Sequence, residues 1–368
     1  MTPPRPPRLA WKNVNAGLLA GQPTLQADWN RLNAAQVNLP FLDARAIIAA
    51  LRCFGRGDER LLIASAGETG KPVAMFVLSR RGAGQWETFQ PSQLPLGAWV
   101  AEADWTALAL AESLLRGPLA ASLVLSITQV DPRQSPAPAD GPAHVRSDYI
   151  ETGWIDMAGS FDAYWALRGK NLRSNMRKQR NKLSADKADA ELLEWRSASD
   201  MAPAIARYGA LESAGWKSEK GTAIHPDNDQ GRFYGQLMEE AAERGEAVIY
   251  EYRLGGRTAA MHLCLRRDAE IVILKTTYDE SIDKSLSPAF LLHQEELQRM
   301  FGEGQTRRLE YYGRLMEWHT RWTDNKRTLY HLTCYRWPWL KKLKQVISAR
   351  SSPAADAAGE NQVSRLHQ

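Results

Sequence analysis

Three short apolar-rich blocks follow one another between positions 247 and 277: AVIYEYRL (247–254), RTAAMHLCL (257–265) and EIVILKTT (270–277). Each has the length of a strand, and Gly255-Gly256 between the first two is the composition of a tight hairpin turn. From Pro288 to about Phe301 the apolar positions take a helical spacing, and strands are expected again at 307–313 and 328–335. The same order is legible upstream. RLLIASA (60–66) and PVAMFVLS (72–79) form a hairpin around a turn at 67–70, and QWETF (85–89) is a short third strand. A helix over about 104–116 and a strand at 120–130 complete the set. Helical stretches precede both hairpins, at 27–35 and 43–53 in the first half and about 201–214 and 228–244 in the second.

The two hairpins are also alike residue by residue. GKPVAMFVLSRR (70–81) and GRTAAMHLCLRR (256–267) share Gly, Ala, Met and the closing Arg-Arg, five identities in twelve. The chain therefore reads as a tandem duplication, each copy running strand, helix, helix, three-strand meander, helix, strand. A meander whose third strand feeds a helix and then a neighbouring strand is the core of the GNAT acyltransferase fold. The expected class is accordingly α/β, of the α+β type: two tandem GNAT-like domains, each a mixed, mostly antiparallel sheet flanked by helices. Residues 1–130 would form a degenerate first domain and 149–336 the catalytic one. Between them, 131–148 is rich in Pro, Ala, Gly and Asp and reads as a linker. A basic amphipathic helix is expected over 337–349, and a disordered tail over 350–368.

Composition narrows the class of protein. With 368 residues the chain is long for one core, and 44% hydrophobic with 24% charged is ordinary for a globular protein. No stretch approaches the roughly 18 apolar residues of a membrane span, and no apolar run follows the basic N-terminal residues as a secretory signal would require. Cys53, Cys264 and Cys334 are widely spaced, beside apolar or aromatic residues. They read as buried thiols of a cytoplasmic protein. The net charge of +5 is mild, and its placement matters more than its size.

Five stretches could carry chemistry. Ser287-Pro288 is a good helix start, with Ser as N-cap and Pro at N1. It is either a plain cap or a place where unsatisfied N–H groups and the helix dipole hold an anion. Ala289 and Phe290 follow it, and no glycine-rich loop. In YGALESAGWKSEKGTAIHP (208–226), Trp216 and Lys217 could form a binding wall and Glu212 could accept a proton; equally, Trp216 could cap the core. LRGKNLRSNMRKQRNKLSADK (167–187) is an amphipathic helix with one intensely basic face, including Arg173, Arg177 and Arg180. Such a face attracts phosphates or an anionic bilayer. In GRLMEWHTRW (313–322), His319 stands near Glu317 and Glu310 and could serve as a general base, or be a structural ring between tryptophans. Last, YRWPWLKKLKQVISAR (335–350) could dock on the second domain or lie on an anionic membrane surface. His293 and Glu296 are three apart on one helix, but a pair without further ligands does not make a metal site.

ESAGWKSEKGTAI, LKTTYDESIDKSLSP, the basic NLRSNMRKQRNKL and the closing Arg321-Trp322 together resemble the CelD/BcsL family of bacterial acetyltransferases. These are tandem GNAT-like proteins related to the FemAB peptidoglycan-bridge enzymes and named for an association with cellulose biosynthesis. The likeness runs through most of 150–335. Two positions depart from the family: Ala289 stands where glycine is usual, and Trp318-His319 where a Tyr-Lys pair is common. The resemblance implies transfer of an acyl group from acetyl-CoA or another acyl-CoA, without a metal, to an amine or hydroxyl of a small-molecule or glycan-precursor acceptor. Glu212, Tyr278, Asp279 and His319 are then the candidates for proton transfer. Lys275, Thr276, Ser287, Ala289 and Phe290 would face the cofactor. Trp216, Lys217, Arg173, Arg177 and Arg180 would face the substrate. A FemAB-like use of aminoacyl-tRNA, with the basic helix on RNA, and a non-catalytic scaffold of a polysaccharide-synthesis complex are the alternatives. The expected location is cytoplasmic, with peripheral membrane contact through 335–350.

Overall fold

The computed structural model describes residues 9–67, 70–214, 224–283 and 285–351. The expected tail therefore lies outside the described residues, as do Trp216 and Lys217. The first half contains β1 (Leu9–Asn15), α1 (Leu18–Gly21), α2 (Pro23–Gln36), α3 (Ala44–Phe54), β2 (Arg60–Ala66), β3 (Pro72–Gly82), β4 (Gln85–Thr88), β5 (Trp99–Ala101), α4 (Ala107–Arg116) and β6 (Val124–Val130). Next come β7 (His144–Asp156), α5 (Phe161–Ala166), α6 (Lys170–Ala185), β8 (Ala190–Trp195), α7 (Ala198–Ala214) and α8 (Asp229–Ala242). The chain continues with β9 (Ala247–Leu254), β10 (Arg257–Arg267), β11 (Glu270–Tyr278), α9 (Pro288–Glu303), β12 (Arg308–Glu310), α10 (Glu317–Thr320), β13 (Lys326–Tyr335) and α11 (Pro338–Ser351). None of the described helices is long and apolar enough to cross a membrane.

The duplicated order is real, and its two copies share strands. Pairings run β1-β2-β3-β4-β6-β13-β7-β12-β11-β10-β9-β8, with β5 beside β3. The antiparallel meanders β2-β3-β4 and β9-β10-β11 correspond, as do α4 with α9 and β6 with β12. Each copy then sends its last strand into the other copy's sheet: β7 pairs with β12, and β13 pairs with β6. The two exchanged strands pair with each other from Lys326↔Gly153 to Cys334↔His144. The stretch read as a linker, 131–148, enters β7 at His144 and brings Asp131 and Arg133 to the junction.

That junction is electrostatic. Arg327 on β13 donates to both oxygens of Asp131 (2.8–3.0 Å) and to both of Glu310 (2.9 and 3.2 Å). Arg133 donates to Glu310 (2.9 Å) and Glu270, and the buried Tyr312 hydroxyl donates to Asp131 (2.9 Å). Burial pushes the Glu310 carboxyl up, and Arg327 and Arg133 pull it back down only in part. Asp131 and Glu310 are fully buried, so removing a cation strands a charge. Arg327→Met should therefore cost about 3–5 kcal/mol in urea unfolding, the usual penalty for breaking a buried pair from one side; a loss below about 1 kcal/mol would show that the cluster does not weld the halves.

Hydrophobic layers complete the fold. In the second half, α9, α5 and α6 cover one sheet face through Leu172, Met176, Tyr250, Cys264, Leu292 and Trp322. On the opposite face α7 and α8 pack together with α3 of the first half, through residues such as Tyr208, Phe233, Ile47 and Met261. Phe54 and Phe233 meet across this seam at 5.4 Å. The C-terminal α11 is tied back by Lys341, which donates to the carbonyls of Gly141 and His144, while Trp339, Leu343 and Val346 stay exposed.

Candidate active site

The site is built on one short strand. A strand was expected over 307–313, but β12 pairs with β11 only from Glu270↔Arg308 to Val272↔Glu310. Its partner β7 ends the ladder at Trp154, and Tyr312 takes a left-handed conformation (φ 48°), which turns the chain out of the sheet. β11 runs on to Tyr278 with β10 still beside it but no longer β12, so β11 and β12 part. The opening leads to a cavity of about 600 Å³ at the start of α9, lined by Thr276, Thr277, Tyr278, Ser287, Pro288, Ala289, Phe290, His262, Trp318 and Trp322.

The first half supplies an internal control. There β4 and β6 also pair over only three residues, Gln85↔Val124 to Glu87↔Ser126, and Gln129 takes φ 46°. But that gap is filled. Thr88 and Thr128 share a hydrogen bond (2.7 Å), and Gly97 packs so tightly that a Cβ would meet Thr88 at 2.5 Å and the Thr128 carbonyl at 2.6 Å. The start of α4 is occupied too: Thr106 caps the Ala109 N–H and Ser135 accepts from the Ala107 N–H. At α9, by contrast, Ser287 makes no side-chain cap bond. Its backbone N–H goes to Gln179 and its carbonyl accepts from Phe290 and Leu291. The Ala289 N–H, in the first turn, has no acceptor within the helix, and Ala289 lines the cavity at the positive end of the dipole. The Ala289 methyl keeps a ligand farther from the backbone than glycine would.

A polar cluster lies buried beneath this cavity. His262 on β10 reaches both oxygens of Glu296 through Nδ1 (2.9 and 3.0 Å), and His293 Nδ1 lies 2.5 Å from the same carboxylate. His293 Nε2 is 2.7 Å from the Tyr311 hydroxyl. Burial alone would raise Glu296, but His262 and His293 hold it down at about 2, while burial lowers His293 and pushes Tyr311 well up. Two histidines and a glutamate with ligand atoms within 4.8 Å of one another have the composition of a metal site. Yet ligands 2.0–2.1 Å from a tetrahedral ion stand roughly 3.3 Å apart, and these contacts have hydrogen-bond lengths.

Tyr311 also borders a second cavity, about 430 Å³, on the other side of the parted strands. Tyr312, Tyr149, Tyr234, Leu274, Gln129 and Arg314 line it, so both halves of the chain contribute. Both cavities border β11, Leu274 lining the second and Thr276 the first.

The residues singled out in the sequence fall into three places. Thr276, Tyr278, Asp279, Ser287, Ala289 and Phe290 line the first cavity. Asp279 is also a turn residue, accepting from Ser281 and paired with Arg257 at 3.2 Å. Lys275 points to the opposite face, 3.4 Å from the buried Glu212 and 5.4 Å above the ring of Tyr234. Glu212 in turn accepts the Ile224 N–H (2.8 Å). Arg173, Arg177 and Arg180 line a third cavity of about 610 Å³ on α6, with Trp165 and Gln294. His319 is buried, accepts the Met316 N–H and stacks on Trp318 at 3.6 Å. Sequence reasoning missed His262 and Tyr311. The available signal for the first was a lone polar residue inside an otherwise apolar strand, AMHLCL.

Residues 170–321 match a family model described as an acetyltransferase (GNAT) domain. No curated protein matches the chain. Among solved structures, a C-terminal domain assigned to lysylphosphatidylglycerol synthetases, from Agrobacterium fabrum, superposes with a TM-score of 0.51 at 13% identity, covering 83% of this chain and 92% of that one. The L-PGS protein of Bacillus licheniformis gives 0.48 at 14%, covering 80% and 89%. A tandem GNAT protein from the clavulanic acid biosynthesis pathway gives 0.44 at 13%, covering 89% and 98%. The second half is thus similar to a GNAT acetyltransferase domain, and the order and pairing of the elements repeat the same layout in the first half.

Burial, and then His293, depress His319 to about 4. Its folded value lies below the ordinary 6.5, so the unfolded chain takes up a proton first. Stability is present in full above pH 6.5 and falls as pH drops towards 4, by at most about 3 kcal/mol. His319→Gln, which can still accept from Met316, should flatten that slope in unfolding curves taken between pH 7 and 4; an unchanged slope would assign it to other groups.

Proposed function

We propose that the protein is an acyltransferase that takes its acyl group from a thioester, acetyl-CoA or another acyl-CoA, and passes it to an amine or hydroxyl. The observation that carries this reading is the contrast between the two helix starts: α4 is capped and its gap plugged, whereas α9 opens on a cavity between parted strands. The GNAT match over the same half supports it. A pyrophosphate at the Ala289 N–H would place the thioester against β11, where backbone N–H groups beyond Val272 could polarise its carbonyl. The acceptor enters from the second cavity, as a small molecule or glycan precursor of the kind the CelD/BcsL resemblance implies. Tyr278 and Thr276 border the donor, and Lys275 and Glu212 lie on the acceptor face. Titration calorimetry tests this: acetyl-CoA should bind the intact chain, Ala289→Gly should tighten binding several-fold, and Ala289→Asp should weaken it at least tenfold. Absence of binding at millimolar acetyl-CoA would sink the reading.

One observation favours a second donor. Among the described residues no carboxylate pairs with Lys170, Arg173 or Arg177, although Arg180 and Lys182 of the same helix are paired with Glu295 and Asp283. This cationic cleft runs alongside α9, and Trp165 in it lies 5.9 Å from Trp322 of the donor cavity. An aminoacyl-tRNA could lay its backbone there. In that case the chain should be retained on tRNA, with affinity falling steeply with salt and lost on reversing the charges of Arg173 and Arg177. Salt-independent retention would count against RNA as donor.

A further inference from the structure

The buried cluster has a logic that the fold does not require. A carboxylate only accepts hydrogen bonds, and both imidazoles present Nδ1 to Glu296. Each Nδ1 therefore carries its proton, and each Nε2 is left with a lone pair. His293 spends its lone pair on the Tyr311 O–H. His262 lines the donor cavity beside Thr276 and Thr277, and its hydrogen bonds to the described residues all run through Nδ1, leaving Nε2 without a donor among them. One carboxylate thus sets two rings at once, the first as an acceptor towards the donor cavity and the second as the anchor of a tyrosine that borders the acceptor cavity.

We propose that His262 is the catalytic base of the transfer, with Glu296 as the positioning residue that fixes its tautomer and His293 as the one that holds Tyr311 at the acceptor entrance. This rests on the acyl-transfer reading above. As the acceptor nitrogen or oxygen forms its bond to the thioester carbon, its proton passes to His262 Nε2. The resulting imidazolium keeps its Nδ1–H on Glu296, whose negative charge offsets it. When the C–S bond breaks, the thiolate takes that proton from Nε2, giving the free thiol and the neutral ring again. Nothing is oxidised, and no further reactant is consumed. The arrangement explains why a fully buried charge is tolerated in a helix that otherwise packs apolar residues: it is compensated on both sides and put to use on both.

The titratable groups around the His262–Glu296 pair are Tyr250 and Cys264 from the sheet, His293 from α9, Tyr311 from the turn after β12, and His319 from α10. Burial keeps Tyr250, Cys264 and Tyr311 protonated, and Glu296 stays ionised.

Two measurements on the intact chain test the proposal. Long-range nitrogen–proton NMR of the histidine rings should show His262 protonated on Nδ1 only at pH 7.5, and Glu296→Gln should scramble that tautomer. Thiol release from acetyl-CoA, with glucosamine or water as acceptor, should fall about 10²–10⁴-fold in kcat for His262→Ala, the usual worth of a general base. The Michaelis constant for acetyl-CoA should change little. Glu296→Asp should retain more activity than Glu296→Gln. A His262 ring protonated on Nε2, turnover within twofold in His262→Ala, or a stoichiometric bound metal ion would each overturn the assignment. Should the wild type release no thiol, the acyl-transfer reading fails; an Nδ1-protonated ring would then still establish the tautomer, and the NMR arm alone would decide the positioning role.

Discussion

The structure depends on the clamp of Arg327 on Asp131 and Glu310. Three separate segments meet there: the end of the first repeat, the short strand β12 of the second, and the strand the second repeat lends back. Charges this deeply buried gain from pairing only when geometry is close to ideal, so the clamp fixes register more than it adds stability. Holding β13 between β6 and β7 also fixes where β12 must stop. Arg327 and Arg133 both draw Glu310 inward, and with the Tyr312 hydroxyl on Asp131 the chain leaves the sheet at that point.

The open cleft is therefore a by-product of how the two repeats are joined. A longer β12 would close the ladder beside β11, and the first repeat shows how such an opening is filled: threonines bond across it and a glycine loop packs in. Duplication gave two openings, and the sequence between β4 and α4 determines that one is plugged. The surviving one has aromatic walls, Phe290, Trp318 and Trp322, around the available N–H of the helix start. This is a mostly apolar site with few, fixed polar contacts, as binding sites for small ligands commonly are.

Much of the fold was legible because it is written in local periodicity. The two meanders, the helices that follow them and the tandem layout all rest on apolar spacing within ten or so residues. β7 was not, because its strand lies in a segment whose opening residues, 131–148, have the composition of a linker. Nor was the exchange of strands, which pairs residues some 180 positions apart. The site divided the same way. Ser287, Ala289, Phe290, Thr276 and Tyr278 are local to one strand end and one helix start, and the structure brings them around one cavity. Lys275 went to the opposite face because neighbouring strand residues alternate. The His262–Glu296–His293–Tyr311 cluster could not be read, because it draws on a strand, a helix and a turn spread over about 50 residues, and only the pair on the helix carried a recognisable spacing.

The exchanged strands also bear on the life of the chain before it is complete. During synthesis the first repeat leaves the ribosome with β6 at an open edge, and the strand that belongs beside it is residues 326–335. Nearly 200 further residues must be made before that edge is covered. The nascent first repeat is thus a sheet awaiting its last neighbour, and the order of translation makes β13 the step that closes both halves together.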